Sequence, residues 1–147
     1  MAQENQSQSG EKFDEKKWLQ QEHGKVQQYA SQNSLDLIRI VQKDSAVLPP
    51  LVAIWFIESK RHLNGFWVIT GDLPSDHIVG DNAQSARDAI KYFALRWHLK
   101  AENILIELEQ ESSEVESNKT KKQFAEILIS KADGLYQFAD RDDLWKK

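Results

Sequence analysis

Cysteine is absent from the 147 residues, which excludes disulfides and thiolate metal sites and makes a reducing compartment the natural setting. Proline is scarce, with three residues, two of them adjacent at Pro49-Pro50. The six glycines stand singly, so no glycine-rich phosphate loop exists, and there is no Gly-x-Ser-x-Gly elbow to present a nucleophile. No apolar run approaches the roughly 18 residues of a membrane span. The first ten residues have neither a basic start nor an apolar stretch, unlike a secretory signal. Basic charge is in deficit as well: the formal net charge is −4, whereas a nucleic-acid coat needs a basic face to neutralise phosphates. These absences predict a cytoplasmic protein with no nucleic-acid or membrane partner and no cofactor. Aromatic residues, by contrast, are plentiful. Five tryptophans point to core and rim packing, since large aromatics dominate burial in small domains.

The chain has the length of one domain. Residues 1–11 lack apolar surface and are expected to form a flexible tail, leaving 12–147 as a single domain. From Phe13 the pattern turns helical, with Trp18, Leu19, Glu22, Val26, Tyr29 and Ala30 at three- and four-residue steps. Gly24 could break this helix, and Asn33 is the expected left-handed stop. Three β-like segments follow: Leu35 to Lys43, the almost wholly apolar Leu51 to Ser59, and Phe66 to Thr70. Pro49-Pro50 marks the first corner and Asn64-Gly65 suits the second. Gly71 to Asp81 reads as a loop. Asn82 or Ser85 then caps the clearest helix, whose apolar stripe runs from Ala86 to Leu108. Around its end sits an acidic run of Glu102, Glu107, Glu109, Glu111, Glu114 and Glu116. A shorter helix carries Phe124, Ile127, Leu128 and Ala132 and stops at Gly134, before a last docked turn containing Leu144 and Trp145.

The segment Trp67 to Ile78 holds the residues best suited to chemistry. It places Asp72, Asp76 and His77 just past a buried strand, with Asp81 close behind. Carboxylates and an imidazole there could hold a divalent cation or act as acid and base. The spacing matches no known ligand pattern, and turns and helix caps account for the same residues. Turn chemistry is the stronger reading, and no metal is assigned. Arg96 lies beside the apolar stripe of the long helix, where a guanidinium could pair with Asp72 or Asp76, or hold a ligand anion. The internal pair is favoured. His98 and Glu102 are four apart and read as an exposed pair. The acidic run reads first as a solvated helix end, with a docking strip for a basic partner as the minority option.

The stretch Trp67-Val-Ile-Thr-Gly-Asp-Leu-Pro-Ser-Asp76, with Arg96-Trp-His-Leu-Lys-Ala-Glu102 downstream, resembles a family of uncharacterised bacterial proteins, a domain of unknown function. Its members share Trp-Val-Ile-(Ser/Thr)-Gly-Asp-Leu-Pro-(Thr/Ser)-Asp and Arg-Trp-x-Leu-Lys-Ala-Glu. The likeness covers about residue 14 to Leu144-Trp145. It implies a bacterial, cytoplasmic protein and transfers no functional residue. His77 stands where relatives carry an aromatic such as Tyr, which counts against a ligand role there.

The fold expected is α+β: a three-stranded antiparallel meander covered by an N-terminal helix and two or three C-terminal helices. The function expected is that of a small non-catalytic binding or assembly protein, acting through a protein partner or self-association. Its binding candidates are Trp67, Asp72, Asp76, His77 and Arg96, with no catalytic residue assigned. The alternative is a metal-dependent or acid/base enzyme built on the loop after the third strand.

Overall fold

Asp14 starts the first helix by accepting the Lys17 N–H on its side chain at 3.1 Å, which satisfies one of the free donors of the first turn. The computed structural model describes residues 13–110 and 116–145. The expected tail, together with Glu111 and Glu114 of the acidic run, lies outside the described residues. Helix α1 runs Glu15–Gln32 and buries Trp18, Glu22, Val26 and Ala30, one residue per turn along a single stripe. Gly24 does not break it. Asn33 ends the helix at φ −107, and the left-handed residue is Ser34, at φ 55. Asn33 instead donates its side-chain N–H to the Tyr29 carbonyl at 2.9 Å, a local bond that ends the helix without a positive φ.

The strands are β1 (Leu37–Leu48), β2 (Val52–Ser59), β3 (Phe66–Gly71) and β4 (Asp76–Val79). They form one sheet in the order β1-β2-β3-β4. The α+β class and the expected meander are present, and a fourth strand occupies part of the segment read as loop. Asp76-His-Ile-Val79 is too short for a two-residue period to show, and Pro74-Ser75 on one side and Gly80 on the other look like turn. Strand β1 extends five residues past its expected end, because Ala46-Val-Leu48 resumes pairing with β2 after a polar interruption. Pro49-Pro50 forms the β1–β2 corner, where the Leu51 N–H closes the turn on Leu48 at 2.9 Å. Gly71, at φ 139, lies so close to β2 that an added Cβ would overlap the Leu51 carbonyl oxygen and Val52 Cα. Only glycine fits there.

Two compact units divide the chain at His77/Ile78. In the first, α1 packs on β1 and β3. The sheet face bearing Trp55, Ile57, Phe66, Val68 and Thr70 looks towards α1, as the edge-on contact between His23 and Trp55 shows. On the outer part of the sheet Arg39 pairs with Glu58 through two 2.9 Å hydrogen bonds. This bidentate contact holds the Glu58 carboxyl below its ordinary range.

The second unit is dominated by two helices of 25 residues each, α2 (Ala86–Gln110) and α3 (Glu116–Asp140). Ser85 caps α2, accepting the Asp88 N–H at 3.1 Å. The helices run antiparallel. Arg87 near the start of α2 donates to the Ala139 carbonyl at 2.7 Å, while Lys100 further along lies over the Phe124 ring. The buried seam of α3 is Ala125, Leu128, Ala132, Leu135 and Ala139, the alternating three- and four-residue spacing of a helix–helix interface. Gly134 does not stop α3. A lone interior glycine costs about 1 kcal/mol relative to alanine, less than burying the flanking Ala132 and Leu135 returns. A final turn, α4 (Asp142–Trp145), follows, with the Trp145 indole N–H on the Phe138 carbonyl at 3.0 Å. Among the described residues no helix is long and apolar enough to cross a membrane.

Candidate functional site

The interruption in β1 builds an open apolar concavity in the first unit. Val41 pairs with Phe56 and Ala46 pairs with Ile54. Gln42 to Ser45 therefore stand opposite Trp55 alone, a bulge of the kind that re-aims side chains near functional sites. Ser45 closes the gap in the ladder: its hydroxyl accepts the Phe56 N–H at 2.9 Å and donates to the Val41 carbonyl at 2.8 Å. With four residues looped away, a cleft of about 350 Å³ remains between α1 and β1. Trp55 forms its floor, Leu19 and His23 one wall, and Val47 the other, with Gln20 and Gln42 at the rim. The Trp55 indole N–H is spent on the buried Thr70 hydroxyl at 3.0 Å, so the cleft is offered the carbon framework of the ring. Among the described residues no Lys, Arg, Asp or Glu lines it. Such a surface takes up an uncharged apolar group. The sequence hint was the polar Gln42-Lys-Asp-Ser45 run inside a strand, which the period-2 reading treated as the strand's end.

The residues singled out from the sequence fall at several places. Trp67 is buried and packs against Phe56, its cross-strand partner, at 4.8 Å between ring centroids. Alternation puts it on the sheet face opposite Phe66. Asp76 accepts the His77 backbone N–H on its carboxylate at 2.8 Å. The His77 ring lies edge-on to both Tyr29 and Phe66, with centroids 5.6 Å from each. Its Nδ1 is 2.8 Å from the Tyr29 hydroxyl. His62 also packs on Phe66, 5.5 Å between centroids. Asp72 is exposed, and its backbone N–H donates to Leu51 at 2.9 Å. Trp67, Asp72, Asp76 and His77 belong to the first unit and Arg96 to the second. Among the described residues, no group of three or more His, Asp or Glu side chains is placed to hold a metal ion.

Glu22 is the residue whose chemistry sequence reasoning missed. It sits on the buried stripe of α1, 2% exposed. One carboxylate oxygen is 2.9 Å from Lys25 Nζ, while the other has no hydrogen-bond partner. Lys25 also reaches the Gly71 carbonyl at 3.3 Å, tying α1 to the end of β3. Glutamate at a helix position in register with Trp18 and Val26 was the available signal. A buried acid is costly unless it is paired.

In the second unit a groove of about 620 Å³ follows the outer side of α2 past Tyr92, Leu95, Arg96, Leu99 and Asn103. Leu95 and Leu99 are each about half exposed there, as is Ile106 further along the helix. His98, read as the partner of Glu102, turns instead to α3, bonding Asp133 at 3.0 Å and stacking on Tyr136.

Residues 12–145 match the model of a domain of unknown function, DUF4826, and the chain belongs to that family. No curated protein and no solved structure matches it.

Proposed function

We propose that this protein is a non-catalytic binding protein whose site is the cleft over Trp55, and that it takes a small molecule carrying a flat, uncharged apolar ring. The observation that carries this reading is the four-residue bulge of β1 opposite Trp55, which leaves an apolar concavity of ligand size with no charged side chain among the described residues of its lining. His23 stands edge-on to the indole at 6.0 Å, the geometry in which a further ring completes an aromatic cluster. Acid/base chemistry at β4 has less to support it. Asp76 there bonds backbone, and the His77 ring rests against the Tyr29 hydroxyl.

Titration with indole, followed by two-dimensional amide and indole N–H spectra, tests the reading. Shifts should concentrate at Leu19, His23, Val47 and Trp55, with an affinity between about 10 µM and 1 mM for so small a ligand. Val47→Asp, at the exposed wall, should abolish them. Shifts that ignore this substitution, or that gather around His77, refute the assignment.

A further inference from the structure

We propose that the outer face of α2 is a self-association seam, on which a second copy of this chain lays its own α2 antiparallel. The inference is independent of the Trp55 cleft.

At about 100° per residue, Ile90, Phe93, Ala94, Trp97 and Ala101 form the buried side of α2. Leu95, Leu99 and Ile106 project from the opposite side, 50%, 52% and 47% exposed. Tyr92, half-buried, continues the line. From Tyr92 to Ile106 the stripe is roughly 21 Å long at the helical rise. Scattered exposed aliphatics are ordinary, but a row on one helix side is not.

Charge identifies the occupant and its direction. Between Lys91 and Lys100 every Lys, Arg, Asp or Glu of α2 is basic: Lys91, Arg96 and Lys100. From Ala101 to Gln110 every one is acidic: Glu102, Glu107 and Glu109. A parallel second copy would set like charges side by side. An antiparallel copy sets each basic half beside an acidic half, and charge patterning of this kind fixes orientation in paired helices. The helical wheel places Lys91 and Glu109 on one flank of the stripe, and Lys100 and Glu107 on the other. A twofold axis near Leu99 and Lys100 then brings Leu99 onto its own copy and Tyr92 against Ile106. The same axis sets Lys91 beside Glu109, one such pair at each end of the seam. Such self-complementarity is what an isologous interface requires. Glu102 interrupts the apolar line, and one short helix face is less than a standard interface, so micromolar rather than nanomolar affinity follows.

Light scattering after size exclusion on the full chain tests this, with circular dichroism to confirm that each variant is folded. Wild type should be dimeric at about 100 µM and dissociate on dilution, as expected for micromolar affinity. Leu99→Asp should weaken the dimer roughly 100-fold, the scale of a central interface residue. K91E and E109K should each weaken the dimer about 10-fold. Mixed together they should form a heterodimer, and the combined double variant, with its end charges exchanged, should pair again. A strictly monomeric wild type, a dimer indifferent to Leu99→Asp, or a double variant no tighter than K91E alone overturns the proposal.

Discussion

Replacing Ser45 with alanine isolates the bond that holds the β1 bulge. The hydroxyl serves two backbone groups at once, accepting from the Phe56 N–H and donating to the Val41 carbonyl. Ser45→Ala would leave both without this partner in a part-buried stretch of sheet. An unsatisfied buried donor costs about 1–3 kcal/mol, and a carbonyl that keeps partial access to water adds less, so a loss of about 2 kcal/mol is expected. With an m-value of about 2 kcal/mol/M for a protein of this size, the urea midpoint should fall by about 1 M. Lys43→Ala, at an exposed position of the same bulge, should stay within about 0.5 kcal/mol of wild type. Hydrogen exchange gives the local readout, since the Phe56 amide should lose protection beyond the global change. If Ser45→Ala costs no more than Lys43→Ala and leaves the Phe56 amide protected, the hydroxyl does not hold the bulge. The account of how the cleft forms would then be wrong.

Further substitutions probe other parts of the reasoning. An added Cβ at Gly24 or Gly134 meets nothing within 4 Å, so alanine at either helix position should raise stability by about 0.5–1 kcal/mol in thermal or urea unfolding. Gly71→Ala drives its Cβ into β2 backbone and should destabilise by more than either gains, or prevent folding. Glu22→Met removes a buried carboxylate oxygen that lacks a partner, and the protein should become no less stable, gaining up to about 2 kcal/mol; a large loss would mean the acid is needed for the core. The Glu58 carboxyl should titrate below its ordinary range in carbon-detected spectra, because Arg39 bonds the ionised form. A depressed acid contributes its stabilisation above its unfolded pKa and loses it as pH falls through the folded one. Arg39→Ala should therefore matter at neutral pH and cease to matter in acid, and an ordinary Glu58 titration in wild type would contradict the pairing.

Where long periodic segments carry the signal, sequence and structure agree. The α2 stripe from Ala86 to Leu108 lies within the observed helix, and Leu51 to Ser59 gives β2 almost to the residue. The misses are local conflicts resolved by tertiary packing. Gly24 and Gly134 look like breakers, but the apolar stripes flanking them outweigh one unfavourable propensity each. Strand β4 is four residues long, too short for periodicity to register. The Trp55 cleft depends on register: nothing in the order of residues says that Gln42 to Ser45 will face one tryptophan, because register belongs to the pairing of two strands. Asp76 and His77 stand out by residue type, whereas the contacts of the His77 ring with Tyr29 and Phe66 come from elements distant in the sequence. Burial of Glu22 could be read from its place on the α1 stripe, while the lack of a partner for one oxygen could not.

The order of charges along α2 runs against the helix's own field. Aligned peptide dipoles make the first turns of a helix electropositive and the last turns electronegative, and a like charge near either end costs about 0.3–1 kcal/mol. Glu107 and Glu109 sit in the final turns, which hold no basic residue. Cut out as a peptide, this segment should be less helical than its leucine, alanine and glutamate content suggests, and neutralising its glutamates with acid should increase its helicity. The protein keeps an electrostatically disfavoured helix intact by gripping its other side, and so retains a rod whose charge is polarised along its length.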